Sequence, residues 1–357
     1  MKIRTVCGDI SPDELGITLT HEHLLVDMSC RRVMPKDPYL CRIADMPVTC
    51  SIVGDLQRYP MISKDSLRLT DMNVAIEELE YFKAAGGKSL VDQTCSWIGG
   101  DPVALRKISQ STGINIIATS SYFSPVLPED IDDLNIDQLA RRLVTEITEG
   151  FEGTDIRAGI IGEVGTSWPI TPDEIKTLRA ACQAQLRTGA ALSIHPFPWG
   201  QTTRSEGDWT FPSALELLDL IEGEGVDLGR VVICHLDHNV DVDFHKSVAA
   251  RGAYVEYDRC GIERYGGNLE EAIRMFPRDA DRVRGIVELI AAGYVSQILL
   301  SQDVCMKIEQ KKFGGPGYGH ILRHMVPMMR LLGGSQEDID TILVENPKRM
   351  LAFSDSN

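Results

Sequence analysis

Six residues of this chain have side chains suited to holding a metal. They are His21 and His23 in TLTHEHLLVD (18–27), Glu163 in RAGIIGEV (157–164), His195 in ALSIHP (191–196), His235 in RVVICHLD (230–237) and Asp303 in QILLSQD (297–303). The chain holds only eight histidines, and four of them are in this set. Residues two apart on a strand face the same side, so His21 and His23 aim two imidazoles at one point. Neutral imidazole is a good ligand for zinc and its neighbours, and carboxylates balance the charge. Four imidazoles and two carboxylates exceed the needs of one ion that keeps open positions. Two divalent ions about 3.5–4 Å apart, sharing a bridging carboxylate and a bridging hydroxide, use the whole set. Such a pair acidifies water and polarises a scissile oxygen, so no Ser or Cys nucleophile is required. Zinc is the first expectation, and the same ligands accept Mn, Co or Fe.

Each residue alone has a plainer reading. His-X-His recurs by chance, Glu163 and Asp303 can cap turns, and His195 and His235 can be satisfied core histidines. Their shared position changes the weighting. All six fall at or near the C-terminal ends of apolar runs that are far apart in sequence.

Eight such runs are legible: 17–26, 88–94, 114–120, 157–164, 191–196, 230–237, 253–258 and 297–303. Most are near-continuously apolar, as parallel strands buried on both faces must be. Helical patterns lie between them at 71–87, 101–113, 171–189, 211–225 and 271–293, the last broken by Pro277. Thr171 then Pro172, with Gly189 at the far end, frames one helix, and Asp101, Pro102 and Gly113 frame another. The alternation predicts an α/β chain folded as a (β/α)8 TIM barrel, one domain over 1–357. A doubly wound open sheet shares the alternation. In a barrel all strand C-termini converge on one mouth, which would bring the six residues together. The stretch 27–70 is too long for one connection and carries Pro35, Pro38, Pro47 and Pro60 without clear periodicity. It reads as an insertion over the mouth.

The net charge of −16 argues against nucleic acid or a membrane surface as partner. It leaves room for an anionic small-molecule substrate met by a local cation. No apolar run is long enough to span a bilayer, and MKIRTVCGDI has no leader-like core. Nine scattered cysteines without C-x-x-C spacing read as free thiols of a cytoplasmic protein, with Cys234 and Cys305 as small buried residues.

The phrases TLTHEH, GIIGEVGTSWP, SIHP, VICHLD and ILLSQD come in one order over residues 18–303. KKFGGPGYGHILRHMVPMM and ILVENPKRML extend the match towards the C-terminus. With them the chain resembles the phosphotriesterase family of the amidohydrolase superfamily, most of all its phosphotriesterase-related subgroup. The resemblance implies a (β/α)8 barrel with C-terminal helices, and a homodimer. It implies that His21, His23 and Asp303 hold the more buried ion and that His195 and His235 hold the more exposed one. Asp303 would also take a proton from the attacking hydroxide. Phosphotriester-cleaving members usually bridge their metals with a carbamylated lysine, whereas Glu163 stands at that position here. A glutamate bridges directly and needs no carbon dioxide, but it is shorter, which puts phosphotriester turnover in doubt.

YDRCG (257–261) resembles a segment of the family's lactonases, and this implies substrate contacts for Arg259 and Tyr122. Trp97 and Trp168 follow the second and fourth runs and can wall a pocket. KIEQKKFGGPGYGH (307–320) brings Lys307, Lys311, Lys312, Tyr318 and His320 towards the mouth. Of these we count Tyr318, with Trp168, as substrate-binding. Asp237 and His238 follow His235, where they can orient it or relay a proton. The expectation is a hydrolase of a small amide or lactone. A phosphoester or phosphotriester hydrolase and a non-catalytic small-molecule binder are the alternatives.

Overall fold

The computed structural model describes residues 1–124, 126–196, 212–265 and 275–353. Eight parallel strands follow one another around a nearly closed barrel: β1 (Thr18–Glu22), β2 (Ser89–Asp92), β3 (Asn115–Ser120), β4 (Ile160–Gly165), β5 (Leu192–His195), β6 (Val231–Ile233), β7 (Tyr254–Tyr257) and β8 (Ile298–Leu300). The ladder runs unbroken from β1 to β8. Beyond the end of β8 the ring is drawn shut by the Asp303 N–H donating to the His21 carbonyl at 3.1 Å. The His21 N–H donates to the Ser301 hydroxyl at 2.9 Å. This is the (β/α)8 architecture that the sequence pattern predicts, and the open-sheet alternative falls.

The continuous apolar runs are explained by two cores. Val91, Ile117, Ile160, Val232 and Leu299 point into the barrel, where Ile3, Leu15, Met350 and Leu351 pack with them. Their strand neighbours Leu90, Ile116, Ile161, Val231 and Ile298 point outward into the helix layer. Both faces of each strand are therefore buried, so period-two alternation disappears from the sequence.

The surrounding helices are Met72–Ala84, Pro102–Thr112, Ile136–Thr148, Pro172–Thr188, Pro212–Gly223, Val242–Ala250 and Asp279–Ala291. Thr171 caps its helix from the side chain, and Gly189 ends it in the left-handed region at φ 71°. The pattern expected over 271–293 is helical from Asp279 onward, and its residues 271–274 lie outside the described residues. The helix Ile136–Thr148 was not among those expected from the sequence; it opens on a capping box in which Asn135 and Gln138 satisfy each other's backbone.

The 27–70 stretch is more ordered than its lack of periodicity suggests. It holds helices Pro38–Ala44 and Val53–Arg58, and Val26–Asp27 pairs with Arg68–Leu69 across its neck. Ile43, Ile52, Leu56, Ile62 and Leu67 form a separate apolar cluster that packs on Phe123, Cys305 and Met306 at the strand ends. Helical stretches Ile321–Leu331 and Gln336–Leu351 complete the chain. All nine cysteines are free. Among the described residues no helix is long and apolar enough to cross a membrane.

Candidate metal centre

The C-terminal strand ends bring all six predicted ligands together around Glu163. Its carboxylate lies 3.6 Å from His21 Nε2, 3.8 Å from His23 Nε2, 3.4 Å from His235 Nε2 and 3.9 Å from His195 Nε2. Asp303 sits 3.2 Å from His23 Nε2 on the far side. Two sets within metal-ligand spacing share Glu163: one with His21 and His23, the other with His195 and His235. A third set joins His21, His235 and Asp303.

Local backbone departures aim these side chains. The pairing of β4 with β5 slips by one residue between Ile161 and Val164, and the bulge turns Glu163 into the barrel. Gly162 makes the slip possible. Its φ is +147°, and a Cβ there would lie 2.5 Å from the Ser193 Cβ. A similar slip in β1, between Leu19 and Glu22, precedes His23. His235 and Asp303 are left-handed, with φ of 59° and 47°, and among the described residues no other non-glycine has positive φ. Strained backbone of this kind persists where neighbours over-determine it.

Those neighbours are visible. The Asp258 carboxylate accepts from the His235 N–H at 2.9 Å and lies 2.8 Å from its Nδ1. Glu256 lies 3.3 Å from His21 Nδ1. Thr94 holds His23 Nδ1 at 2.9 Å, and Asp92 accepts from the Thr94 N–H at 3.0 Å. Each of these three rings is thus gripped at Nδ1, which leaves Nε2 facing Glu163. Glu22, between His21 and His23 at the end of β1, turns sideways towards the residues after β8. Its carboxylate accepts from the Ser301 hydroxyl at 2.7 Å, the Gln302 N–H at 2.8 Å and the Val304 N–H at 3.0 Å, fixing the backbone on both sides of Asp303.

The electrostatics suit a cation. Burial alone would raise the Glu163 carboxyl, but His195, His21 and His235 outweigh it and hold it well below the usual carboxylate range. Burial drives His195 down to about 3, so it stands neutral, as a ligand must. Burial opposes protonation of His235 too, but Asp258 overrides it and lifts the pKa to about 9. His21 Nε2, Glu163 Oε2 and His195 Nδ1 are buried without a hydrogen-bond partner. Imidazole nitrogen and carboxylate oxygen left unsatisfied in one spot fit divalent ions of the zinc group.

The other predicted residues divide. Arg259 and His238 line the cavity above the cluster, and Arg259 pairs with Asp303. Tyr122 does not reach the cavity. Its hydroxyl donates to the Leu139 carbonyl at 3.1 Å in the helix layer, and its neighbour Phe123 faces His195 instead. Tyr318 is fully buried and donates to the His23 carbonyl at 2.7 Å, so it supports the backbone of a predicted ligand and does not line the described cavity. Trp168 is half-buried and lies off the described lining, and Trp97 stacks under Arg142 at 4.6 Å. Asp237 does not touch the His235 ring. It accepts from the backbone N–H of Asp258 and Arg259 and pairs with Arg282 at 2.6 Å. Lys307 pairs with Asp65, Lys312 with Glu77 and His320 with Asp279, none of them in the described cavity lining, and Lys311 lies over Tyr81. Cys234 is buried as expected, and it also falls within ligand spacing of His21, Glu256 and Asp258 beneath the site.

Sequence reading missed Asp92, Thr94, Glu256 and Asp258. The acids inside the apolar runs KSLVDQT and AYVEYD were the available signal. It also missed Met28, Arg31 and Met61, which the 27–70 stretch contributes to the cavity. A larger cavity, about 630 Å³, opens at the N-terminal strand ends beside Arg230 and Arg349. Those guanidinium groups are bonded to backbone carbonyls, and none of the metal-ligand sets lies there.

The model of the phosphotriesterase family matches residues 1–351. An N-acetyltaurine hydrolase from Xenopus tropicalis is 36% identical over 355 residues, covering 99% of this chain and 98% of that protein. The crystal structure of a resiniferatoxin-binding protein from Rhodobacter sphaeroides superimposes with a TM-score of 0.91 at 36% identity, covering 99% of this chain and 96% of the other. A lactonase from Listeria monocytogenes gives a TM-score of 0.76 at 26% identity, covering 99% and 100%.

Proposed function

The chain belongs to the phosphotriesterase family and is a metal-dependent hydrolase, and we propose that it uses two divalent ions, zinc foremost, to cleave the amide or lactone bond of a small substrate. The observation that carries this reading is Glu163, the residue that two ligand sets have in common. His21, His23 and Asp303 would hold one ion and His195 and His235 the other, with Glu163 between them. Ions bound there would acidify a water and polarise the substrate's acyl oxygen.

The chain's own groups do the rest. Asp258, Glu256 and Thr94 fix the rings so that Nε2 faces the centre. Arg259 keeps Asp303 ionised against the pull of burial, so its carboxylate is ready to take a proton from the attacking water. Hydrolysis by an N-acetyltaurine hydrolase and by a lactonase supports a carboxylic substrate over a phosphoester.

The test is metal content followed by a hydrolysis screen. Protein loaded with Zn or Mn should cleave at least one of a panel of N-acyl amino acids, N-acyl sulfonates and sugar lactones, and chelation should abolish the activity. Turnover confined to phosphoesters would move the assignment to phosphoester hydrolysis. A protein that takes up no divalent metal and cleaves nothing would be a binder.

A further inference from the structure

Among the described residues two cations line the cavity over the ligand candidates, Arg31 and Arg259. Arg259 is neutralised by Asp303. Arg31 has no carboxylate in ion-pair range among the described residues. Its guanidinium donates to the Ser124 carbonyl at 3.2 Å and lies 5.4 Å from the centre of the Phe123 ring. The same Phe123 ring stands edge-on to His195, 5.5 Å between centroids. Phe123 thus touches both the Arg31 guanidinium and the His195 imidazole, and all three line one cavity. Met28 and Met61 supply adaptable apolar wall beside it.

A half-buried guanidinium with only a neutral acceptor is a ready partner for an anion. The chain as a whole carries a net charge of −16, so a local cation in the cavity favours an anionic substrate there. The lysines of the loop after β8 cannot serve. Lys307 and Lys312 are paired to Asp65 and Glu77, and Lys311 lies over Tyr81.

We propose that Arg31 selects the substrate by binding a sulfonate or carboxylate tail, carried on a short spacer from the acyl bond that is cleaved beside Glu163. This rests on the hydrolase reading above. Arg31 acts in binding, and the chemistry stays with the residues around Glu163.

The experiment uses the metal-loaded protein and its Arg31→Gln and Arg31→Lys variants, each first checked for unchanged metal content and melting. Hydrolysis of N-acetyl-2-aminoethanesulfonate is compared with that of neutral N-propylacetamide. Losing a charged hydrogen bond predicts that the ratio of kcat/KM for the anionic over the neutral amide falls about tenfold or more in Arg31→Gln. The fall should sit in KM, with partial recovery in Arg31→Lys. Equal losses on both amides, or no loss on the anionic one, would overturn the proposal. Calorimetric binding of ethanesulfonate, a poor metal ligand, gives a readout without turnover. If neither amide is cleaved, the amide reading fails separately. A tenfold weaker ethanesulfonate affinity in Arg31→Gln would still support the role of Arg31, and an unchanged affinity would refute it.

Discussion

Asp258 grips His235 at two points. One carboxylate oxygen accepts from the backbone N–H at 2.9 Å and the other lies 2.8 Å from Nδ1. The double contact sets both the left-handed backbone of His235 and the ring nitrogen that faces Glu163. Replacing Asp258 with Ala should weaken metal binding about 10- to 100-fold, as loss of a carboxylate behind a ligand histidine does. Competition with a chelator measures it. Wild-type affinity in the variant would show that ring packing alone orients His235.

Glu163→Ala should lower metal content below two ions per chain, because both ligand sets lose the residue they share. Elemental analysis after dialysis reads this directly. Unchanged stoichiometry would mean that another group bridges.

Metal uptake should strengthen with pH. His235 is lifted to about 9 by Asp258, yet only the neutral imidazole can ligate, so below that pH each ion bound there must expel a proton. One proton predicts an affinity gain of about tenfold per pH unit up to pH 9, flattening above it. Chelator competition at several pH values, corrected for the chelator's own protons, checks the slope. A flat profile from pH 6 to 9 would contradict the assignment.

Gly162→Ala should destabilise the fold by about 3 kcal/mol or more, since strain and overlap combine. The added methyl would meet Ser193 O at 2.8 Å as well as its Cβ, and both belong to the neighbouring strand. Denaturant unfolding gives the number, and near-wild-type stability would show that β4 shifts at little cost.

Glu22→Ala leaves the Gln302 and Val304 N–H groups without their acceptor, while the Ser301 hydroxyl keeps the His21 carbonyl at 2.7 Å. Two stranded donors predict a loss of about 2 kcal/mol or more. The same change frees the backbone around Asp303, so activity should fall further than the stability loss explains. Unfolding and kinetics on the same preparation separate the two effects.

The strand ends and the six clustered residues were legible because both rest on local patterns. Buried parallel strands need apolar runs, glycine and proline mark the helix ends, and polar residues closing an apolar run stand out against it. The roles of Tyr122 and Tyr318 were not legible, because a tyrosine's direction depends on which nearby carbonyl accepts its hydroxyl. For Tyr122 that carbonyl belongs to Leu139 on the following helix, and for Tyr318 it belongs to His23, nearly three hundred residues earlier in the chain. Asp237 was placed beside His235 by sequence adjacency. The left-handed turn at His235 sends it to Arg282 instead and gives the orienting role to Asp258.

By itself the sequence determined the barrel and singled out the six residues that the strand ends bring together, since residue type and period carry that information. Only the tertiary structure decided which acids hold the imidazoles, that Glu22 fastens β1 to the backbone around Asp303, and that Arg31 lines the cavity with no carboxylate in ion-pair range among the described residues. Those relationships join segments dozens to hundreds of residues apart, and they depend on bulges and left-handed turns that no local pattern encodes.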